Sequence, residues 1–307
     1  MLRVLIIGTG DVAKRILPLL VNRCQVFAVV RQPERAAWWR NHGAKPVLAD
    51  LDQRASCQRL HGLLRSVQWV IYLAPPAEIS GNSTTVDARM RRLLAFRQGL
   101  SIPNSGQSLA QRWVYISTTG VYGDLHGAWG DETTPCCPLS ARGKRRQDAE
   151  QCLRRHHWAY KQGVSILRVP GIYAADRLPV ARIKTSMPVL SKEEDVYTNH
   201  IHADDLAKVV LAALRHGRSN RVYHAVDDSG MTMGDYFDAV ADAFNLPRPP
   251  RVSRNEAEKL ITPAMLSFMS ESRRLKNRRM KNELQVQLRY PTVLDGIQAA
   301  CANRSTV

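Results

Sequence analysis

The sequence holds no cysteine pair at C-x-x-C spacing, no apolar run long enough to cross a bilayer, no internal repeat and no low-complexity linker. Each absence removes a class of protein. The six cysteines (Cys24, Cys57, Cys136, Cys137, Cys152 and Cys301) form no disulfide framework, the adjacent Cys136–Cys137 being a poor structural bridge, so a reducing compartment is the simplest setting. A membrane helix needs about 20 apolar residues. The N-terminal apolar run is far shorter, ends in a glycine turn and reads as a core strand rather than a signal peptide; a cytoplasmic protein with no membrane partner is expected. His, Cys, Asp and Glu show no metal-ligand spacing, so no metal is expected.

Acidic residues are also scarce. Lys and Arg number 44 against 27 Asp and Glu, a formal net charge of +17. Such an excess bears on fields and partners rather than on fold. The charge is spread along segments read as helices, Arg89 to Arg92 and Arg273 to Arg279, with little aromatic interleaving and no nucleic-acid module. A basic, arginine-rich proteome, or attraction of a phosphorylated cofactor, accounts for it more economically than nucleic acid does. Polyanion binding through the basic surface is the weakest of three functional readings.

What is present begins at the first residues. Leu2, Val4, Leu5, Ile6 and Ile7 form a near-continuous apolar run that empties into Gly8-Thr9-Gly10-Asp11-Val12-Ala13. A buried parallel strand reads this way, without alternation. Gly8 suits the tight turn, Gly10 lets the backbone approach a pyrophosphate, and Ala13 in place of a third glycine still allows a helix to pack closely on the strand, its N-terminus facing the phosphates. Val12, Ile16, Leu17, Leu19 and Leu20 then give a helical apolar face, and residues 25–30 a second strand.

Strand and helix signals alternate through the first half. Strands are expected at 46–49, 69–74, 113–117 and 164–168; helices at 33–40, 55–65, 87–100 and 140–161. The expected fold class is α/β, a doubly wound parallel sheet. From about Gly171 the alternation fails. Residues 1–170 are assigned to a dinucleotide-binding domain and 171–307 mainly to a smaller lobe that selects the substrate, with about 196–226 returning to the main sheet through a helix at 204–214 and a strand at 222–226. A further helix is expected at 235–244. Met187, Met231, Met233 and Met265 mark apolar surface in the lobe, most simply core filling.

Five segments together resemble the extended and atypical short-chain dehydrogenase/reductase superfamily, which contains the NAD-dependent epimerase/dehydratases. They are residues 8–13, Tyr115 to Asp124 (YISTTGVYGD), Leu167 to Tyr173 (LRVPGIY), Asn199 to Ala207 (NHIHADDLA) and Ser272 to Asn277 (SRRLKN). The resemblance implies a Rossmann sheet with a C-terminal α/β substrate lobe and an NAD(P) cofactor. It places the substrate-binding hydroxyl on Thr118, with Ser117 and Thr119 as neighbours whose simpler role is to bond the strand end. It also implies a Tyr-x-x-x-Lys pair on the next helix, and there the chain departs: Arg142 stands at the tyrosine position and Arg146 at the lysine position. A guanidinium stays protonated and has no acceptor, so it cannot exchange the tyrosine's proton. It can still stabilise an oxyanion, and Arg146 can still bond the ribose. Tyr122 is the alternative proton donor; Tyr173, His200 and His202 are more simply structural, the two histidines bonding Asp204 or Asp205. The pair His156–His157 is read as solvated.

The resemblance further implies cofactor contacts from Asp11, from the adenine-side pair Asp50–Leu51, from Leu73-Ala74-Pro75 and from Pro170. NAD enzymes of this fold carry an acid at the end of the second strand; here Val30 is followed by Arg31, which suits a 2′-phosphate and favours NADP(H) over NAD(H), with Arg35 one turn later. Three functions compete: an NADP-dependent oxidoreductase of epimerase/dehydratase type acting on a small polar substrate by a non-standard proton route, a non-catalytic dinucleotide sensor or partner-binding protein, and the polyanion binder. Family members often pair through helices corresponding to 87–100 and 140–161, both rich in like charge here, so a monomer or a homodimer is expected.

Overall fold

A computed structural model describes residues 1–77, 85–95, 111–160, 162–262 and 266–302. Its elements in chain order are β1 (Leu2–Ile7), α1 (Asp11–Ile16), β2 (Cys24–Val30), α2 (Ala36–Asn41), β3 (Lys45–Leu48), α3 (Arg54–Ser66), β4 (Trp69–Tyr72), α4 (Ala88–Ala95), β5 (Arg112–Thr118), β6 (Trp129–Gly130), α5 (Ala141–Tyr160) and β7 (Gly163–Val169). They continue with β8 (Gly171–Tyr173), α6 (Val180–Lys184), β9 (Val189–Leu190), β10 (His200–His202), α7 (Ala203–His216), β11 (Arg221–His224), α8 (Met233–Ala243), β12 (Arg251–Val252), α9 (Arg254–Leu260), β13 (Arg274–Leu275), α10 (Arg278–Leu284) and α11 (Val293–Ala302).

Seven parallel strands form one sheet in the order β11-β7-β5-β4-β1-β2-β3. This is the doubly wound α/β class the alternation predicts. The unbroken apolar strands are explained by burial on both faces. Val4 and Ile6 pack with Ala13, Ile16 and Leu206 on one side, while Leu5 and Ile7 pack with Leu60, Met90 and Leu153 on the other. The chain winds outward from β1 to β3, then returns to lay β4 on the far side of β1. The crevice at the C-terminal ends of β1 and β4 is therefore the point where strand order reverses, the usual ligand position in such sheets.

The smaller region carries three two-stranded parallel pairs, β10–β8, β12–β9 and β13–β6, and a core of Tyr173, Ile183, Phe237, Val240, Val293 and Ile297. Helix α7 lies against α1, and β11 closes one edge of the main sheet. Arg15 ties these parts together. Its guanidinium bonds Asp11 at 3.0 Å, Asp204 at 2.6 Å and Asp176 at 3.2 Å, the first on α1, the second on α7 and the third in the smaller region.

Several sequence expectations need correction. Pro18 ends regular α1 at Ile16 and the chain continues as a 3-10 turn, so Leu19 is 42% exposed rather than part of the apolar face. His156 is buried against the Trp113 ring, and its Nε2 donates to Gln162 Oε1 at 3.0 Å; His157 Nδ1 also bonds the Gln162 carbonyl, so the pair is not a solvated one. Residues 273–277 are not helical: Arg274 and Leu275 form β13, and α10 begins at Arg278. Helix α4 is described to Ala95, so the expected helical residues 96–100 lie outside the described residues, as do Lys161 and Met265. No helix among the described residues is long and apolar enough to cross a membrane.

Candidate active site

The β1–α1 turn is fixed by close approach. Leu73 and Ala74 both donate their N–H to the Ile7 carbonyl, at 2.7 and 3.1 Å, which draws the chain after β4 over Gly8. Gly8 adopts φ +100°, and a Cβ there would stand 2.4 Å from Ala74 N. Only glycine satisfies both conditions. Gly10 differs: a Cβ would meet nothing within 4 Å, because its backbone faces the open cleft. Thr9 turns away, its hydroxyl donating to the Val29 carbonyl at 3.1 Å.

The cleft over this turn has a volume of about 550 Å³. It brings together residues 8–13, Arg31 and Arg35 after β2, Asp50 and Leu51 after β3, Leu73-Ala74-Pro75 after β4, Thr118 at the end of β5, Arg142 and Arg146 on α5, and Pro170 after β7. Sequence reasoning missed Gln32, Arg89, Ile172, Arg177 and Leu206 in the same lining. Arg89 was visible only as one member of a basic run. In the fold it pairs with the Asp52 carboxylate and donates to Pro75 O at 3.0 Å, bracing the loop after β4.

Six lining arginines face two lining aspartates, Asp11 and Asp50. Asp11 is itself paired with Arg15 and, at 3.4 Å, with Arg177. Arg31 and Arg142 make no ion pair among the described residues. The cleft therefore presents uncompensated positive charge, which low-dielectric walls focus on an anion.

The two arginines on α5 have different surroundings. Arg146 is 4% exposed, and its Nη1 donates to Ile116 O at 2.8 Å, Ala74 O at 3.2 Å and Tyr115 Oη at 3.2 Å. It clamps β4 to β5. Arg142 is exposed at the cleft surface, yet desolvation by nearby protein atoms, and then the charge of Arg146, pulls its pKa below the ordinary arginine value. Thr118 Oγ1 accepts from Gly120 N at 3.2 Å, which leaves its own proton to donate. Ser117 instead donates to Glu150 at 2.6 Å, and Thr119 is buried.

Tyr122 does not line the cleft, contrary to a place beside the substrate. It is 1% exposed, accepts from Arg168 Nη1 at 2.7 Å and donates to His224 Nε2. His224 Nδ1 in turn donates to Lys276 O at 2.8 Å, and burial lowers this histidine to about 4, so it is neutral and can accept from the tyrosine. Burial also raises the Tyr122 phenol well above its usual range. Burial pulls Arg168 down, but the two hydrogen bonds it donates to the Glu150 carboxylate, at 3.1 and 2.7 Å, more than restore it. Tyr173 is likewise removed, donating to Thr292 O at 3.2 Å. His202 Nδ1 accepts from Asp204 N at 3.2 Å and caps α7, while His200, pushed down to about 4 by burial, packs on Tyr236. Among the described residues no three His, Cys, Asp or Glu side chains are grouped to hold a metal ion.

The switch-point crevice, the glycine turn and the cationic lining together define a doubly wound α/β protein of the dinucleotide-site type. The NAD dependent epimerase/dehydratase family model matches residues 4–226, and the chain belongs to that family, whose members use NAD(P). The fold is similar to that of a functionally unknown conserved protein from Silicibacter pomeroyi (29% identity, TM-score 0.78, 99% of each chain covered). It is also similar to UDP-glucose 4-epimerase from Thermotoga maritima, solved with UDP-glucose (18% identity, TM-score 0.74, 99% of each chain). A third similar structure is dTDP-glucose 4,6-dehydratase from Bacillus anthracis in complex with NAD (16% identity, TM-score 0.76, covering 100% of this chain and 97% of that one). No curated protein matches the chain.

Proposed function

We propose that this protein is an NADP(H)-dependent oxidoreductase of epimerase/dehydratase type that acts on a small polar substrate without a tyrosine–lysine pair. The observation that carries the reading is the end of β2: Arg31, Gln32 and Arg35 line the cleft that begins at Gly8 and Gly10, and the acid in this segment, Glu34, is not among the lining residues. An acid would accept from a ribose 2′-hydroxyl, whereas an unpaired guanidinium suits a 2′-phosphate. The open face of Gly10 fits a diphosphate, because the backbone leaves room where any other residue would place a Cβ. Asp50, Leu51 and the 73–75 segment would hold the adenosine half. When bound, the cofactor supplies or accepts hydride. Arg146, Thr118 and Arg142 lie along the remaining wall, and these two arginines are the basis for placing the chain in an atypical subgroup.

Fluorescence titration tests this reading. NADPH is expected to bind about tenfold or more tightly than NADH, with Arg31→Ala removing most of the gap, since one charge-assisted contact contributes about 1.5–3 kcal/mol. Equal affinities for the two reduced coenzymes would refute the 2′-phosphate assignment. A second reading, a dinucleotide-binding sensor without turnover, is favoured by one observation: Arg146 is committed to three protein oxygens, as a structural clamp would be. Coenzyme binding with no turnover across a carbonyl panel would select it.

A further inference from the structure

The two carboxylates that line the cleft, Asp11 and Asp50, stand at its cofactor end, and the wall formed by Thr118, Arg142 and Arg146 carries no carboxylate, imidazole or phenol. The fold brings one close from a distant segment. On the side of Gly120 where a side chain would stand, a Cβ would lie 3.5 Å from Thr118 Oγ1 and 4.0 Å from Glu271 Oε2. The Thr118 hydroxyl, which lines the cleft, and the Glu271 carboxylate, which is not among its lining residues, thus both face the position a side chain at Gly120 would take. Glu271 is 9% exposed and is held by Arg273, whose Nη1 lies 2.7 Å from Oε2 while also donating to Gly123 O. The backbone beside it is pinned as well. Ser272 N donates to Asp124 Oδ1 at 2.8 Å, and Leu125 N donates to Ser272 O at 3.0 Å. Other groups near this turn are engaged or unsuited: Glu150 is spent on Arg168 and Ser117, Tyr122 on Arg168 and His224, and Arg142 has no acceptor.

We propose that Glu271 is the proton-exchanging catalytic residue of this site, acting on a substrate that places a hydroxyl or carbonyl oxygen between it and Thr118. The inference rests on the nicotinamide-dependent reading above and deepens it. In the oxidising direction the substrate's O–H bond breaks and its proton passes to a Glu271 carboxylate oxygen. The carbinol C–H bond breaks with its electron pair, which leaves as hydride to the oxidised nicotinamide ring, and the C=O double bond forms. Reduction is the reverse, with hydride taken from the reduced ring and the proton returned by Glu271. Thr118 donates to the reacting oxygen throughout. Arg273 is a positioning residue that aims the carboxylate. Because a carboxylate stands at the reacting oxygen, the substrate class is an alcohol or ketone with no negative charge of its own at that carbon.

The test uses the full chain as wild type, Glu271→Gln and Glu271→Asp. NADPH affinity is measured by fluorescence, turnover is measured with NADP(H) over a panel of neutral sugar-like alcohols and ketones, and carboxyl carbons are followed by NMR in glutamate-labelled protein. Glu271→Gln is expected to bind NADPH within about twofold of wild type, to lose turnover by about 100-fold or more, and to lose one ionisation from the kcat/KM pH profile. Glu271→Asp is expected to recover part of the loss. The carboxyl resonance missing from Glu271→Gln is expected to move when coenzyme is added to wild type. Full turnover in Glu271→Gln, or a resonance indifferent to coenzyme, overturns the inference alone. If wild type binds coenzyme but no panel member reacts, the resonance decides. Failure of wild type to bind either coenzyme overturns the underlying reading, and the role of Glu271 with it.

Discussion

At one end of the cleft, beside β1, β2 and β3, the lining comes from the successive loops after four strands within residues 8–75, with Arg89 of α4 bracing the last of them. At the other, Thr118, Arg142, Pro170 and Arg177 come from segments spread across a longer stretch of chain, with Glu271 brought close from still farther away. The first end works largely with backbone: Gly8 and Gly10 shape it because they lack side chains. The second works with side chains, and side chains can be exchanged while the sheet stays as it is. That difference lets the glycine turn stay fixed while the far wall changes, and in the proposed reading Arg142 and Arg146 stand on that wall in place of the family's proton-transfer pair.

The sharpest way to break the contrast is Gly8→Ala. Positive φ and a Cβ 2.4 Å from backbone leave no room to yield, so a stability loss of about 4 kcal/mol is expected by urea unfolding, together with loss of coenzyme binding. A change under about 1 kcal/mol would show that the turn tolerates side chains after all. Next in size is Arg146→Met, which strips a donor from three oxygens between β4 and β5. About 3 kcal/mol is expected to be lost, measured the same way, because the acceptors remain buried. If Arg146→Met unfolds like wild type, the clamp is not structural.

Acid probes the smaller region, where His200 and Asp227 lie, together with His224 at the end of β11. Burial lowers His200 and His224 from 6.5 to about 4, and raises Asp227 from 3.8 to about 7. Between pH 6.5 and 4 the unfolded chain takes up two histidine protons that the native chain refuses, so stability falls with pH. Asp227 opposes this, because its native carboxyl keeps a proton that the unfolded chain releases. Taken by themselves, these three groups give two losses against one gain, about 1.4 kcal/mol of stability lost per pH unit on acidification. In Asp227→Asn the slope should steepen by about 1.4 kcal/mol per pH unit relative to wild type, and parallel profiles in the two proteins would contradict the assignment. The smallest effect is expected at Arg142→Tyr. The side chain is exposed and unpaired, so stability should change by less than about 0.5 kcal/mol. The preference for NADPH over NADP⁺ should nevertheless shrink a few-fold, since a cation near the ring opposes the oxidised form. Unchanged ratios would place Arg142 away from the nicotinamide.

The same contrast governs what could be read from the sequence. Residues 2–13 declare themselves because a buried parallel strand and a glycine turn are local patterns, and the seven-stranded sheet follows from the alternation of strand and helix. Asp50–Leu51 and Leu73–Pro75, which line the cleft, were named through the family resemblance and not by a local pattern of their own. Glu271 was not, since nothing at residue 271 signals that β13 will pair with β6 and carry it to Gly120. Nor did the sequence show that Tyr122 points into a buried Arg168–His224 network, because a V-Y-G turn fixes the backbone and not the partner of the phenol. His156 misled for a related reason: a histidine among arginines on α5 looks exposed until Trp113 is placed beneath it.

The Arg15 guanidinium, with 23% of its side chain exposed, holds three carboxylates from three parts of the molecule. Water and dissolved ions therefore reach a fastening on which the relative posture of the glycine turn and the smaller region depends. Dissolved salt screens such a contact, with a Debye length of about 10 Å at 0.1 M and about 3 Å at 1 M. Ionic strength thereby acts on the join between the glycine turn and the smaller region through a residue that is not part of the cleft lining.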